Sequence, residues 1–141
     1  MKHFTLIEIA FFLKKISIFR ELDVDMLVAI ADKIDQDVYD KKEKVFEINQ
    51  KSKRMYFIAK GEVDLLDNND AIIRKLKEGD FFGDESLFNE RTREYQAICA
   101  EEALILTLNK FDLLTIISEV PFVAIDFLKQ YANIIKCRYE S

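Results

Sequence analysis

The 141-residue chain holds three glycines, and two of them bracket the segment Gly79-Asp80-Phe81-Phe82-Gly83-Asp84-Glu85-Ser86-Leu87, with Arg93 following shortly after. Glycine is used where φ must be positive or where a backbone must approach another group closely. A close glycine, the free N–H groups of a short helix and then an arginine are the parts of a phosphate cradle. Other chemistries find little support. The one histidine, His3, stands near the start of the chain. A histidine-based metal site needs several clustered imidazoles. Cys99 has no histidine near it in sequence, and no nucleophile–base pair is visible, so no enzymatic role is expected.

Composition narrows the partners. The net charge is −5 with no basic tail, which argues against nucleic-acid binding. The two cysteines, Cys99 and Cys137, are isolated and read as reduced thiols of a cytoplasmic protein. The longest apolar runs are far shorter than a membrane span. The start, Met1 to Ile9, lacks the apolar centre of a signal peptide. The length suits one domain with a real core, spanning 1–141.

Three zones would position the cradle. The first, over 4–34, is helical: Asp23 is an N-cap, and Leu27, Ile30, Ala31 and Ile34 follow the spacing of one buried helical face. Over 36–109 the period shortens. Val38, Val45 to Ile48, Met55 to Ala59, Val63 to Leu66, Ile72 to Leu76, Tyr95 to Ala100 and Ala103 to Leu108 read as short strands of a sandwich or barrel. Lys60-Gly61-Glu62 is read as one hairpin turn and Asp67-Asn68-Asn69-Asp70 as the next. Asp84 to Phe88 is a short helical insertion. The third zone, 110–139, is helical again. It comprises Lys110 to Ile117 and then a helix with Pro121 at its first position and a stripe of Phe122, Ile125, Phe127, Leu128, Tyr131, Ile134 and Ile135.

In this arrangement the chain resembles the cyclic-nucleotide-binding domain family, which includes bacterial catabolite activators, kinase regulatory subunits and nucleotide-gated channels. The resemblance rests on Phe12-Leu13-Lys14-Lys15-Ile16-Ser17-Ile18-Phe19, on Met55-Tyr56-Phe57-Ile58-Ala59-Lys60-Gly61-Glu62-Val63 as a central hairpin, and on Gly79 to Leu87 as a phosphate-binding cassette. It implies a mainly β fold, an eight-stranded antiparallel jelly roll with N-terminal helices and C-terminal lid or dimer helices. It also implies a cyclic mononucleotide such as cAMP or cGMP as ligand, with no other cofactor. Two family glycines are replaced by Lys42 and Asn49.

The resemblance assigns roles. Gly83 permits close approach, Asp84 stands where a longer carboxylate accepts from a ribose hydroxyl, and the backbone near Glu85 and Ser86 donates to phosphate. A kinase-type interval puts Arg93 on the phosphate, whereas the longer bacterial interval puts Glu94 there. Glu94 beside the phosphate would repel it, much less if turned outward, and Tyr95 could fill the space of phosphate or sugar. The plainer readings are Asp84 as an N-cap and Arg93 as a surface residue paired with Glu90 or Glu94. Under these readings Arg93→Leu is expected to leave the melting point nearly unchanged. Two functions follow. One is a ligand-sensing regulatory module whose C-terminal helix moves on binding and acts on an effector in another protein. The other is a dead pocket on the same fold, used for docking or for homodimerisation through the C-terminal helix.

Overall fold

The computed structural model describes residues 1–140, with side chains through residue 133. Helix α1 (Leu6–Lys14) opens on a capping box, in which the Thr5 side chain and the Glu8 side chain each satisfy the other's backbone N–H. A 3-10 turn (Ser17–Phe19) leads to α2 (Val24–Ala31), where the Asp23 carboxylate caps the Met26 N–H at 2.9 Å. Both helices bury one apolar stripe, Ile9, Phe12 and Leu13 on α1 and Leu27, Ile30 and Ala31 on α2.

Eight strands follow: β1 (Asp35–Tyr39), β2 (Lys44–Phe46), β3 (Arg54–Lys60), β4 (Val63–Leu66), β5 (Ile72–Leu76), β6 (Phe81–Phe82), β7 (Gln96–Cys99) and β8 (Ala103–Asn109). They form two four-stranded sheets, ordered β1-β8-β3-β6 and β2-β7-β4-β5, with every pairing antiparallel. This is the mainly β roll with flanking helices expected from the sequence.

The two sheets differ in how they are covered. On β3 and β8, Met55, Phe57, Leu104, Leu106 and Leu108 pack against the helices. Tyr56, Ile58, Ala103 and Ile105 point between the sheets. Strands buried on both faces are apolar at nearly every position, which is why Met55–Ala59 and Ala103–Leu108 are apolar but for Thr107, which is itself buried. The second sheet alternates instead: Val63 and Leu65 are buried, while Asp64 and Leu66 are not.

Two sequence expectations are corrected. Lys60-Gly61-Glu62 is no hairpin, because β3 and β4 lie in different sheets. It is the corner where the chain changes sheets. At Gly61 φ is +94°, and an added Cβ would sit 2.5 Å from the Glu102 carbonyl oxygen. Phe81–Phe82, read as part of the cassette loop, is a two-residue edge strand on β3. The Asp67–Asp70 hairpin between β4 and β5 does form. Lys42 and Asn49 both adopt left-handed backbone, φ 72° and 71°, so these turns keep the geometry that favours glycine.

Between β6 and β7 lies α3 (Glu85–Phe88). After β8, α4 (Lys110–Glu119) is capped by Asn109, and α5 (Phe122–Glu140) begins just past Pro121. The stripe expected on α5 divides. Val123 and Phe127 are buried and Tyr131 is half-buried against the roll, while Phe122, Ile125 and Leu128 are exposed on the other side. The side chains of Ile134, Ile135 and Cys137 lie outside the described residues. Among the described residues no helix is long and apolar enough to cross a membrane.

Candidate ligand site

The site is built where β6 ends. Gly83 has φ +79°, and a Cβ there would meet Arg93 Nη1 at 3.0 Å and the Tyr56 ring at 3.1 Å. Glycine is therefore required twice over, for its backbone angle and for the space that the guanidinium fills.

Arg93 turns inward. It is 3% exposed. Nη1 donates to the Gly83 carbonyl and Nη2 to the Arg54 carbonyl, both at 2.7 Å. The guanidinium lies 4.3 Å from the Phe46 ring centre and 5.8 Å from that of Tyr56. Its Nε has no hydrogen-bond partner, and no carboxylate forms an ion pair with it among the described residues. The surface reading of Arg93 is corrected, because it is a buried cation held by carbonyls and aromatic faces. The expectation that Arg93→Leu is nearly neutral is reversed with it. Glu94 faces outward and pairs with Arg91 at 3.2 Å, both side chains being well exposed.

Tyr95 occupies part of the cradle. Its hydroxyl accepts from the Gly83 N–H at 3.0 Å and donates to the Glu85 carboxylate at 2.9 Å. Burial first, and the Glu85 charge second, push the phenol far above its ordinary range. The Ser86 hydroxyl donates to the Gly83 carbonyl at 3.1 Å, so that oxygen takes both Ser86 and Arg93. The Gly83 amide and the Arg93 guanidinium are thus engaged internally.

Asp84 behaves differently from either expectation. Its backbone is helical and its side chain makes no cap bond, which rules out the N-cap role. The carboxylate is 6% exposed and accepts from the Tyr131 hydroxyl at 2.6 Å. Burial raises its pKa to about 6, helped by the neighbouring Glu85 charge and opposed by the Tyr131 bond and by Arg93. Tyr131 belongs to α5, so the shortest polar contact of the cassette is made with a helix far away in sequence.

A cavity of about 400 Å³ opens between cassette and α5. Gly79, Asp84, Glu85 and Tyr95 line it from the cassette, Arg74 from β5 and Tyr131 from α5. Of the residues singled out in the sequence, Asp84, Glu85 and Tyr95 therefore meet at the cavity. Gly83, Ser86 and Arg93 lie behind it, and Glu94 points away. α5 closes one side through Phe127, edge-on to Phe81 and Phe88 with ring centres 6.0 and 5.1 Å away, and through Gln130, which donates to the Ser17 hydroxyl. Sequence reading missed Tyr131, Gln130 and Arg74 as cavity residues. Tyr131 carried a signal, a hydroxyl on the apolar stripe one turn past Phe127, whereas Arg74 and Gln130 carried none. Among the described residues no group of histidines, cysteines or carboxylates is placed to hold a metal.

Comparison with known proteins agrees with this fold. The family model described as "Cyclic nucleotide-binding domain" matches residues 36–120. The cGMP-dependent protein kinase egl-4 of Caenorhabditis elegans is 32% identical over 105 residues, which is 70% of this chain and 14% of the kinase. The catabolite activator protein of Thermus thermophilus superposes with a TM-score of 0.78 at 22% identity, over 85% of this chain and 58% of that one. The regulatory subunit of a cAMP-independent protein kinase A from Trypanosoma brucei superposes with a TM-score of 0.76 at 20% identity, over 86% and 43%. The chain thus spans only a small part of the length of the kinase it matches.

Proposed function

We propose, on the premise that the chain belongs to the cyclic nucleotide-binding domain family, that it is a regulatory module whose signal is the position of α5 on the cassette. The observation that carries this is the Asp84–Tyr131 hydrogen bond, made across the mouth of the cavity. A ligand entering beside Asp84 and Glu85 meets Tyr131, so occupancy and α5 position cannot be independent. A cyclic mononucleotide such as cAMP or cGMP is the ligand class the family implies. To bind as in a phosphate cradle it must draw Arg93 off its two carbonyls and displace the Tyr95 hydroxyl from beside the cassette, which makes binding weak. The exposed Phe122, Ile125 and Leu128 on the far side of α5 then form the surface on which a moved helix is read, with a second copy of this chain as the expected partner.

Calorimetric titration with cAMP and cGMP, with sedimentation at tens of micromolar, tests this reading. Saturable heat is expected, stronger in Tyr95→Ala, which frees the Gly83 amide and clears volume. A second reading is favoured by the Tyr95 hydroxyl already seated on that amide: a fold that no longer takes nucleotide and serves only in docking. Absence of heat in both proteins supports the second reading. Heat unchanged in Arg93→Leu, with the fold intact, refutes the cradle. A monomer at those concentrations refutes pairing through α5.

A further inference from the structure

Two hollows of the molecule carry opposite charge. The cavity between the cassette and α5 is lined by Asp80, Asp84 and Glu85 against one cation, Arg74. A second hollow, of about 410 Å³, opens at the turn from β2 to β3. It is lined by Lys51, Lys53 and Arg54, with no carboxylate among its lining residues. All three cations are exposed, and among the described residues none of them forms an ion pair. In a chain of net charge −5, three cations within four residues are a local reversal of sign. A solvated turn spreads such charges into water. Here they edge one hollow whose floor includes Phe46 and Tyr56, the two rings that pack on the Arg93 guanidinium. Like charges gathered at one hollow repel each other, and an anion placed among them removes that repulsion. The backbone that carries them is fixed. The Asn49 N–H donates to the Arg93 carbonyl at 2.8 Å, and the Arg93 N–H to the Gln50 carbonyl at 2.9 Å. Arg93 Nη2 holds the Arg54 carbonyl, and the Lys110 N–H holds that of Lys53 at 2.8 Å. A turn fixed at both ends has less freedom to lose on binding, which favours affinity without a new contact. Ser52, half-buried between the two lysines, adds a neutral hydroxyl donor.

We propose that this hollow is a second binding site, separate from the cavity under α5, for a ligand that carries two or more adjacent phosphoryl groups. A single carboxylate leaves most of the positive charge unbalanced, whereas two phosphoryl groups, each of about −1.5 to −2, offset all three cations. Arg54 offers a planar fork that takes two phosphate oxygens at once, and the lysines act as point charges. The volume lies in the range of small-molecule sites, which suits a polyphosphate or a phosphorylated headgroup. The inference requires no cyclic nucleotide and none of the groups that line the other cavity.

The test is calorimetric titration of the full chain with inorganic pyrophosphate and with tripolyphosphate, at low and at physiological salt. A second arm sediments the protein with phosphatidylcholine vesicles that carry a phosphorylated inositol lipid. Saturable binding at one site is expected, weakening as salt rises. In the double variant Lys51→Ala, Lys53→Ala the affinity is expected to fall by about tenfold or more, the worth of a hydrogen bond to a charged group. Removing two lysines outside the hollow, Lys33→Ala with Lys75→Ala, is expected to change it by no more than about twofold at physiological salt. Binding of the free polyphosphates assigns the site to a soluble ligand. Binding of the vesicles alone, with the same dependence on Lys51 and Lys53, assigns it to a lipid headgroup. No binding in either arm overturns the proposal. An equal loss in the two double variants overturns it as well, since the hollow would then act only through bulk charge. Titration with cAMP or cGMP is a separate measurement, so failure of the nucleotide reading leaves these outcomes untouched.

Discussion

Arg93 and Asp84 are both buried charges of the same cassette, and they are kept in opposite ways. Arg93 is held wholly by the roll: carbonyls at Gly83 and Arg54, aromatic faces at Phe46 and Tyr56. Its partners come from β2, β3 and the end of β6, which cannot separate without unfolding the sheets. Asp84 is held from outside the cassette by one hydroxyl on α5. The comparison teaches that burial alone does not assign a charge to function. The cation has become part of the fold, and the carboxylate part of a joint.

Four substitutions bear on that contrast. The largest effect is expected from Phe127→Ala, which empties the contact between α5 and the cassette. Removing a buried phenylalanine costs about 3–5 kcal/mol. If α5 is a joint, exchange protection disappears from α5 while the urea midpoint of the roll moves far less. A single cooperative loss of both would merge the two regions and remove the contrast.

Arg93→Leu comes next. The Gly83 carbonyl keeps its bond from Ser86, but the Arg54 carbonyl loses this donor and the aromatic faces lose the guanidinium. A buried hydrogen bond left unmade costs about 1–3 kcal/mol, so a loss of that size is expected in urea denaturation. The loss should be shared by roll and α5 alike. An unchanged midpoint would return Arg93 to the surface reading.

Asp84→Asn is expected to act in the other direction. A carboxyl whose pKa is raised by folding contributes stability below its unfolded value and loses it as pH passes about 6. The amide is therefore expected to be more stable than the acid at pH 8, by about 1–2 kcal/mol, and no more stable at pH 4. Thermal melts at the two pH values check the sign.

The smallest effect belongs to Glu94→Ala. Its pair with Arg91 is exposed on both sides, and such pairs are worth about 0–1 kcal/mol. A melting point shifted by no more than a degree or two is expected, together with unchanged nucleotide heat. A clear gain in binding would mean that Glu94 reaches the cavity.

How far these features could be read from the sequence follows from how local their causes are. The runs Met55–Ala59 and Ala103–Leu108 were legible because both faces of their sheet are covered, so composition alone marks them. The caps at Asp23 and Asn109 act over three residues and leave a sequence signature, which was noted for Asp23 alone. The corner at Gly61 was misread because a hairpin and a change of sheet use the same turn residues, and the strands' partners decide between them. Phe81–Phe82 is too short to show a period. The direction of Arg93 depends on Phe46 and Tyr56, brought together by pairings that no spacing in the chain reveals. The short helix was found at the right place, yet the Asp84 partner lies on α5, beyond any local pattern.

The pairing of β1 with β8 has its own consequence during synthesis. The first strand emerges early, but its hydrogen-bonding partner is the last strand of the roll, with Asp35 opposite Thr107. Translation proceeds at about 5–20 residues per second, so β1 waits for seconds with an unpaired edge. β3, the other neighbour of β8, waits as well, with that edge unpaired. Only when β8 leaves the ribosome can the first sheet close, and α4 and α5 are still to come. The nascent chain is thus at its most vulnerable to association with other chains just before the roll is complete, and of the helices that cover the first sheet only α1 and α2 are already made.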